Sequence, residues 1–148
     1  GYSPRMRLDV SVNLLTMLAL TKGKITVFGG TQVRPNVHID DITDVYLHLI
    51  DHPEVTGIFN TGFENISILD IANLVTKYVP AEIIVTASND PRSYRVNSDK
   101  LLATGFKPKK TVEHAIQEVI EKYRSGILKN EEHFYNLKWM EKTEIVGQ

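Results

Sequence analysis

Two arginine-bearing stretches hold the residues best suited to chemistry in this sequence. In Gly29-Gly-Thr-Gln-Val-Arg-Pro-Asn-Val-His-Ile-Asp-Asp41, Arg34 falls on a connection between a strand and a helix, where a planar guanidinium can grip phosphate oxygens. In Asp90-Pro-Arg-Ser-Tyr-Arg-Val-Asn-Ser-Asp-Lys100, Arg92 and Arg95 occupy a second such connection. If Arg34 converges with one of these, the pair makes a diphosphate clamp. In the plainer alternative each arginine caps a helix or pairs with a surface carboxylate. Spacing leaves both readings open.

Motifs for self-sufficient catalysis are absent. No Gly-x-Gly-x-x-Gly or Gly-x-x-Gly-x-x-Gly follows a strand, so no helix N-terminus carries the close-approach glycines that a pyrophosphate needs, and Gly29-Gly30 is a turn signal. None of Tyr2, Tyr46, Tyr78, Tyr94, Tyr123 and Tyr135 is followed four residues later by Lys, which removes a common tyrosine–lysine acid/base pair. No nucleophile elbow or zincin motif is present. His38, Asp40, Asp41, Asp44 and His48 have the residue types of a metal cluster. Asp41 and Asp44 read better as a helix-capping pair, and His48 lies a turn further on an exposed face, so no metal site is assigned.

The elements that must position these residues are drawn from a chain of 148 residues, 42% hydrophobic and 24% charged, which suits one globular core. A net charge of −1 gives no overall field for nucleic acid or an anionic membrane. The absence of cysteine excludes disulfides and fits a reducing compartment, so a cytoplasmic location is expected. The longest nearly uncharged run, 10–21, is too short to span a bilayer.

Apolar periodicity and helix-end signals set out those elements. A largely buried helix is predicted over 9–22, with Val10, Leu14, Leu15, Met17, Leu18 and Leu20 covering most of its circumference and Gly23 ending it. Lys24–Phe28 alternates as a strand would, and a short extended piece spans 36–39. Asp41-Ile-Thr-Asp44 reads as a capping box opening a helix that runs to about Asp51, with Ile42, Val45, Tyr46 and Leu49 as its stripe. A strand is expected over 57–61, then a helix opened by Ser67-Ile-Leu-Asp70 and stopped by Pro80. A strand at Glu82–Thr86, a short helix over 98–104 and an amphipathic helix at Val112–Arg124 follow. This alternation argues for an α/β arrangement of short strands with several helices. A domain over 1–127 is expected, with 128–148 as a polar tail that wraps over a surface or a partner domain and is less ordered at its end.

Eight pieces occur in a fixed order: Gly1-Tyr-Ser-Pro-Arg-Met-Arg, Val12-Asn13, Gly-Lys-Ile-Thr-Val-Phe-Gly at 23–29, Arg-Pro-Asn-Val-His-Ile-Asp-Asp at 34–41, Gly-Ile-Phe-Asn-Thr-Gly at 57–62, Ser-Ile-Leu-Asp-Ile-Ala at 67–72, the Asp90 to Lys100 stretch, and Thr-Gly-Phe-Lys-Pro at 104–108. The series resembles the C-terminal substrate-binding part of NAD(P)-dependent nucleotide-sugar epimerases and dehydratases of the extended short-chain dehydrogenase/reductase family. It spans about four fifths of the chain.

The resemblance implies a small C-terminal α/β domain without a complete Rossmann fold. Arg34 would hold the diphosphate of a nucleotide-diphospho-sugar, with Arg92 as the second phosphate arginine. The spacing departs from the commoner epimerase pattern there, so Arg95 stands as the alternative. Phe28 with Thr26 would lie against the base, or Phe28 is a core aromatic. Asn13 would offer amides near the diphosphate, or is a helix-start polar group. Asp90 would contact a ribose, and His38 would pack beside the clamp. Tyr94 would reach a sugar hydroxyl, or pack on the surface. NAD or NADP would be bound by the chain's own N-terminal Rossmann domain, which is missing here and would supply the tyrosine–lysine pair; this chain would bind neither cofactor. The parent, expected to be a homodimer, would move a hydride between the sugar C4 and the nicotinamide, and the fragment alone would be inactive. Two alternatives remain: a stand-alone nucleotide-binding or regulatory module without catalysis, and part of a reductase of the same superfamily with a non-nucleotide substrate.

Overall fold

In the computed structural model, which describes residues 1–88, 90 and 92–143, the chain opens on an extended segment and then enters α1 (Ser11–Lys22). The helix ends at Gly23, whose φ of 62° lets its N–H return to the Ala19 carbonyl. It starts at Ser11 rather than at Asp9, because Asp9 instead accepts two hydrogen bonds from the Arg7 guanidinium, at 3.0 and 3.1 Å. Val10, expected inside the helix, lies before it and is exposed.

β1 (Lys24–Phe28) pairs in parallel with β4 (Glu82–Thr86), Lys24 opposite Glu82 and Phe28 opposite Thr86. β2 (Val33–Asn36) pairs antiparallel with β3 (Glu64–Ser67), Val33 opposite Ser67 and Arg34 opposite Ile66. Each pair is a separate two-stranded sheet. The helices are α2 (Ile39–Asp51), α3 (Ile68–Thr76), α4 (Asp99–Leu102), α5 (Val112–Arg124) and α6 (Asn136–Lys142), with a 3₁₀ turn at Glu132–Phe134. The arrangement is mixed α/β with short strands, as the alternation of elements implies.

Three sequence expectations are corrected. Residues 57–61 form no strand: Ile58 is 89% exposed, and the segment is tied to the α4 region by Asn60 Nδ2 donating to the Asn97 carbonyl and Lys100 Nζ donating to the Ile58 carbonyl. The strand forms later, at β3, where the backbone finds a partner in β2. In place of the extended piece expected at 36–39, the strand lies earlier, as β2 at Val33–Asn36, and α2 already begins at Ile39. The capping box at Asp41 and Asp44 does not form. The N-cap is His38, whose side chain accepts the Asp40 N–H, and Asp41 is buried inside the helix.

α1, β1, α3 and α5 enclose the main core, in which Leu15, Ile25, Val27, Ile71, Val75 and Ile116 are buried. A second cluster joins the chain's two ends: Met6 and Leu8 pack with Met17, Val119, Leu128 and Phe134, and the Leu8 N–H donates to the Phe134 carbonyl at 2.8 Å. The first part of the expected tail therefore contributes to the core. Its end, 144–148, lies outside the described residues, as do Asn89 and, in the second arginine stretch, Pro91. A third cluster gathers Val45, Leu101 and Phe106.

Candidate functional site

Arg34 lies within β2, not on a connecting loop, and its side chain crosses to the segment after β4. Nη1 donates to the Val33 carbonyl at 3.1 Å and also to the Arg92 carbonyl, and Nη2 donates to the Asp90 carboxylate at 3.2 Å. Two further bonds lay that segment along β2: Val33 N–H donates to Ser93 Oγ at 3.0 Å, and Tyr94 N–H donates to the Val33 carbonyl at 3.3 Å. The Arg34 guanidinium carbon stands 5.7 Å from the centroid of the Tyr94 ring, within cation–π range.

Arg92 reaches the same carboxylate, its Nε and Nη2 each donating to Asp90 at 2.8 Å. Asp90 also accepts the Arg92 backbone N–H at 3.0 Å. Hydrogen bonds from the Arg92 side chain and backbone hold the Asp90 carboxyl well below the usual carboxylate range, with the Arg34 charge adding to the effect. Arg34 and Arg92 thus converge, 58 positions apart in sequence, on one anionic group. The expected ribose contact, Asp90, is in this structure the group they converge on.

A cleft of about 740 Å³ opens beside Arg34 and is also lined by Asn13 and His38. Asn13 is buried on α1 with its Nδ2 donating to the Arg7 carbonyl at 2.9 Å, so its amide is oriented by the segment before the helix. His38 Nδ1 accepts the Asp40 N–H at 3.2 Å, which leaves the proton on Nε2, 3.0 Å from the Glu118 carboxylate of α5. Burial, with the nearby Gly1 ammonium as the second cause, pulls the imidazole below its ordinary value by more than the Glu118 and Asp40 carboxylates restore.

Asp90 and Arg92 meet Arg34 but do not themselves line the cleft, and the remaining candidates take no part in either group. Thr26 and Phe28 are on β1 and do not line the cleft among the described residues. Phe28 is 61% exposed, which excludes the reading of it as a core aromatic. Arg95 is exposed and outside the cleft lining. The five-residue metal reading does not form one site. Asp41 accepts the backbone N–H groups of Lys109 and Lys110 at 2.9 and 3.0 Å, and Asp44 pairs with Lys109 Nζ at 2.7 Å. His48 is half-buried rather than exposed, 2.9 Å from Thr104 Oγ1 and edge-on to Phe106. His38, Asp40 and Glu118 do lie together, but both imidazole nitrogens already have hydrogen-bond partners.

Glu118 is not among the residues that the sequence singles out for the site, nor are Arg5 and Arg7, which line the cleft. The Arg-Met-Arg spacing was a visible signal for the last two. Glu118 had none, because its role depends on α5 crossing the start of α2.

No family model matches the chain. It is 24% identical to a GDP-L-fucose synthase of Sinorhizobium fredii, in an alignment that covers 87% of the chain and 46% of the relative. Among solved structures, dTDP-glucose 4,6-dehydratase from Bacillus anthracis, in complex with NAD, is similar with a TM-score of 0.71 and 20% identity, covering 93% of this chain and 44% of that one. UDP-glucose 4-epimerase from Thermus thermophilus gives 0.68 and 20%, covering 83% and 43%. A monomeric L-threonine 3-dehydrogenase from a metagenome gives 0.67 and 18%, covering 80% and 44%. The chain thus has the fold of the matching part of these solved structures, NAD-dependent epimerases and dehydratases among them. It spans less than half the length of these relatives. No helix among the described residues is long and apolar enough to cross a membrane.

Proposed function

We propose that the chain is the C-terminal, substrate-binding part of an NAD(P)-dependent nucleotide-diphospho-sugar epimerase or 4,6-dehydratase, and that it has no turnover alone. The observation that carries this reading is the meeting of Arg34, at the edge of a cleft lined by Asn13 and His38, with Arg92. Two guanidiniums offer charge-assisted donors suited to phosphate oxygens. Val33 and Arg92 carbonyls hold one end of the Arg34 fork, and Asp90 takes part of the other; its remaining donors have no protein partner among the described residues. In this role the chain grips and orients the diphosphate, and the exposed Phe28 ring gives a base a face to lie on.

The turn at Gly29 and Gly30 does not fit a dinucleotide. β1 hands over through Gly29 and Gly30 to β2 rather than to a helix N-terminus, so no strand–glycine-turn–helix cradle forms there. NAD or NADP, which supplies hydride transfer when bound, is assigned to a Rossmann part outside this sequence, in a cytoplasmic homodimeric parent.

Titration calorimetry of the chain with NAD and with UDP-, dTDP- and GDP-sugars tests the assignment. NAD should give no heat, and one nucleotide-sugar should bind weakly; tight NAD binding would overturn the reading. In a polypeptide that contains both parts, Arg34→Ala should raise the substrate Kd at least several-fold, in line with about 1.5–3 kcal/mol for hydrogen bonds to a charged group. Unchanged affinity would favour a second reading, an enzyme of this fold with a non-nucleotide substrate, for which the likeness to an L-threonine 3-dehydrogenase speaks.

A further inference from the structure

We infer that Asp90 is an internal competitor for the anion seat formed by Arg34 and Arg92, so that a ligand's phosphates must displace its carboxylate to bind. The inference rests on the reading of the arginine pair as a phosphate seat. Asp90 makes the contacts an incoming phosphate would make. Its Oδ2 accepts from Arg34 Nη2 at 3.2 Å and from Arg92 Nη2 at 2.8 Å, and its Oδ1 accepts from Arg92 Nε at 2.8 Å. The two bonds from Arg92 Nε and Nη2 to the two carboxylate oxygens are the fork-to-fork geometry by which guanidinium binds either carboxylate or phosphate.

The two arginines are held differently. Arg34 is fixed by the carbonyls of Val33 and Arg92 and its side chain is 19% exposed, whereas the Arg92 side chain is 75% exposed. A ligand can therefore dock on a preset Arg34 while Arg92 swings from carboxylate to phosphate. Asp90 is tethered beside this seat by its own N–H donating to Ser88 Oγ at 3.1 Å and by the Arg92 N–H donating to Oδ1. Its single charge leaves the pair with one net positive charge, so the seat stays attractive to an anion that carries more charge than a carboxylate. Because the contacts to Arg92 are solvent-exposed, the competition is modest: an exposed ion pair of this kind corresponds to about a two- to five-fold effect on an equilibrium constant.

The test is an NMR titration of the chain with inorganic pyrophosphate, which has no base or ribose and so isolates the seat from any other role of Asp90. Asp90→Asn keeps Oδ1 as acceptor for the Arg92 N–H and removes the charge. It should tighten pyrophosphate binding by about two- to five-fold. Asp90→Ser, a second way to remove the charge, should shift affinity in the same direction. Affinity that is unchanged or weaker in both variants overturns the inference. Arg34→Ala separates it from the reading beneath it: pyrophosphate binding should be lost in the wild-type and Asp90→Asn backgrounds alike. If binding survives that change, or if the unaltered chain and Asp90→Asn both fail to bind, the seat itself is refuted and the competitor with it.

Discussion

α5 and α2 are both amphipathic helices of 13 residues, and they meet the rest of the chain in opposite ways. α5 is capped by the Thr111 hydroxyl and lays Val112, Ala115, Ile116, Val119 and Ile120 into two cores that it shares with α1. Of α2, Asp41 and Val45 are buried, while Tyr46, Leu47 and Ile50 are 65%, 54% and 72% exposed. Polar contacts do much of the holding. His38 reaches Glu118, the Asp41 carboxylate accepts two backbone N–H groups, and His48 meets Thr104. Apolar periodicity thus states that a helix has an apolar partner; it does not say that the partner lies within the same stretch of chain. The outer face of α2 is the kind of exposed apolar patch that marks an interface.

The largest effect that would sharpen this contrast is Ile116→Ala. It should destabilise the chain by about 2–5 kcal/mol in urea unfolding, since the side chain is fully buried and its cavity cannot be filled by water. A loss below about 1 kcal/mol would mean that the α5 core is not the main support.

Next is a pH effect at His38, the tie between the two helices. Its folded-state pKa is depressed, so the unfolded chain takes up a proton near pH 6.5 where the folded chain does not. Stability should be fully present above that pH and decline as the pH falls through it toward the lower folded value. Thermal unfolding at about pH 7.5 and about pH 5.5, with His38→Gln as reference, measures the difference. A chain more stabilised by His38 at the acid end would contradict the buried neutral imidazole.

The smallest effect is expected for Ile50→Lys, within about 0.5 kcal/mol of the parent because the side chain is largely in solvent. The same change should reduce any self-association seen by sedimentation. If it costs as much as Ile116→Ala, α2 is packed within the chain after all and the contrast fails.

α5 is legible in the sequence to its ends because local signals agree, apolar spacing and Gly126 after the last turn, and the structure adds the Thr111 cap. The start of α2 was misplaced because His38 caps it, and a histidine cap has no ordinary sequence signature beside two nearby aspartates. β3 was missed for a different reason. Glu-Asn-Ile-Ser has no strong alternation, and the strand exists through pairing with β2, while the more apolar 57–61 run is left in a loop. At the site, Arg34 and Arg92 could be named as candidates by residue type, but their convergence could not. It depends on the segment after β4 lying along β2, a contact that no local spacing encodes.

The parallel pairing of β1 with β4 carries a consequence for how the chain acquires its structure. Lys24 meets Glu82 only after β2, α2, β3 and α3 have intervened, so this ladder closes a long loop and its entropic cost falls on a late folding event. The arginine meeting inherits that order, because Arg34 lies on β2 while Arg92 lies beyond β4, much later in the chain. During synthesis from the N-terminus, β1 emerges long before its partner strand, and a truncation ahead of Glu82 would leave it an unpaired edge open to aggregation.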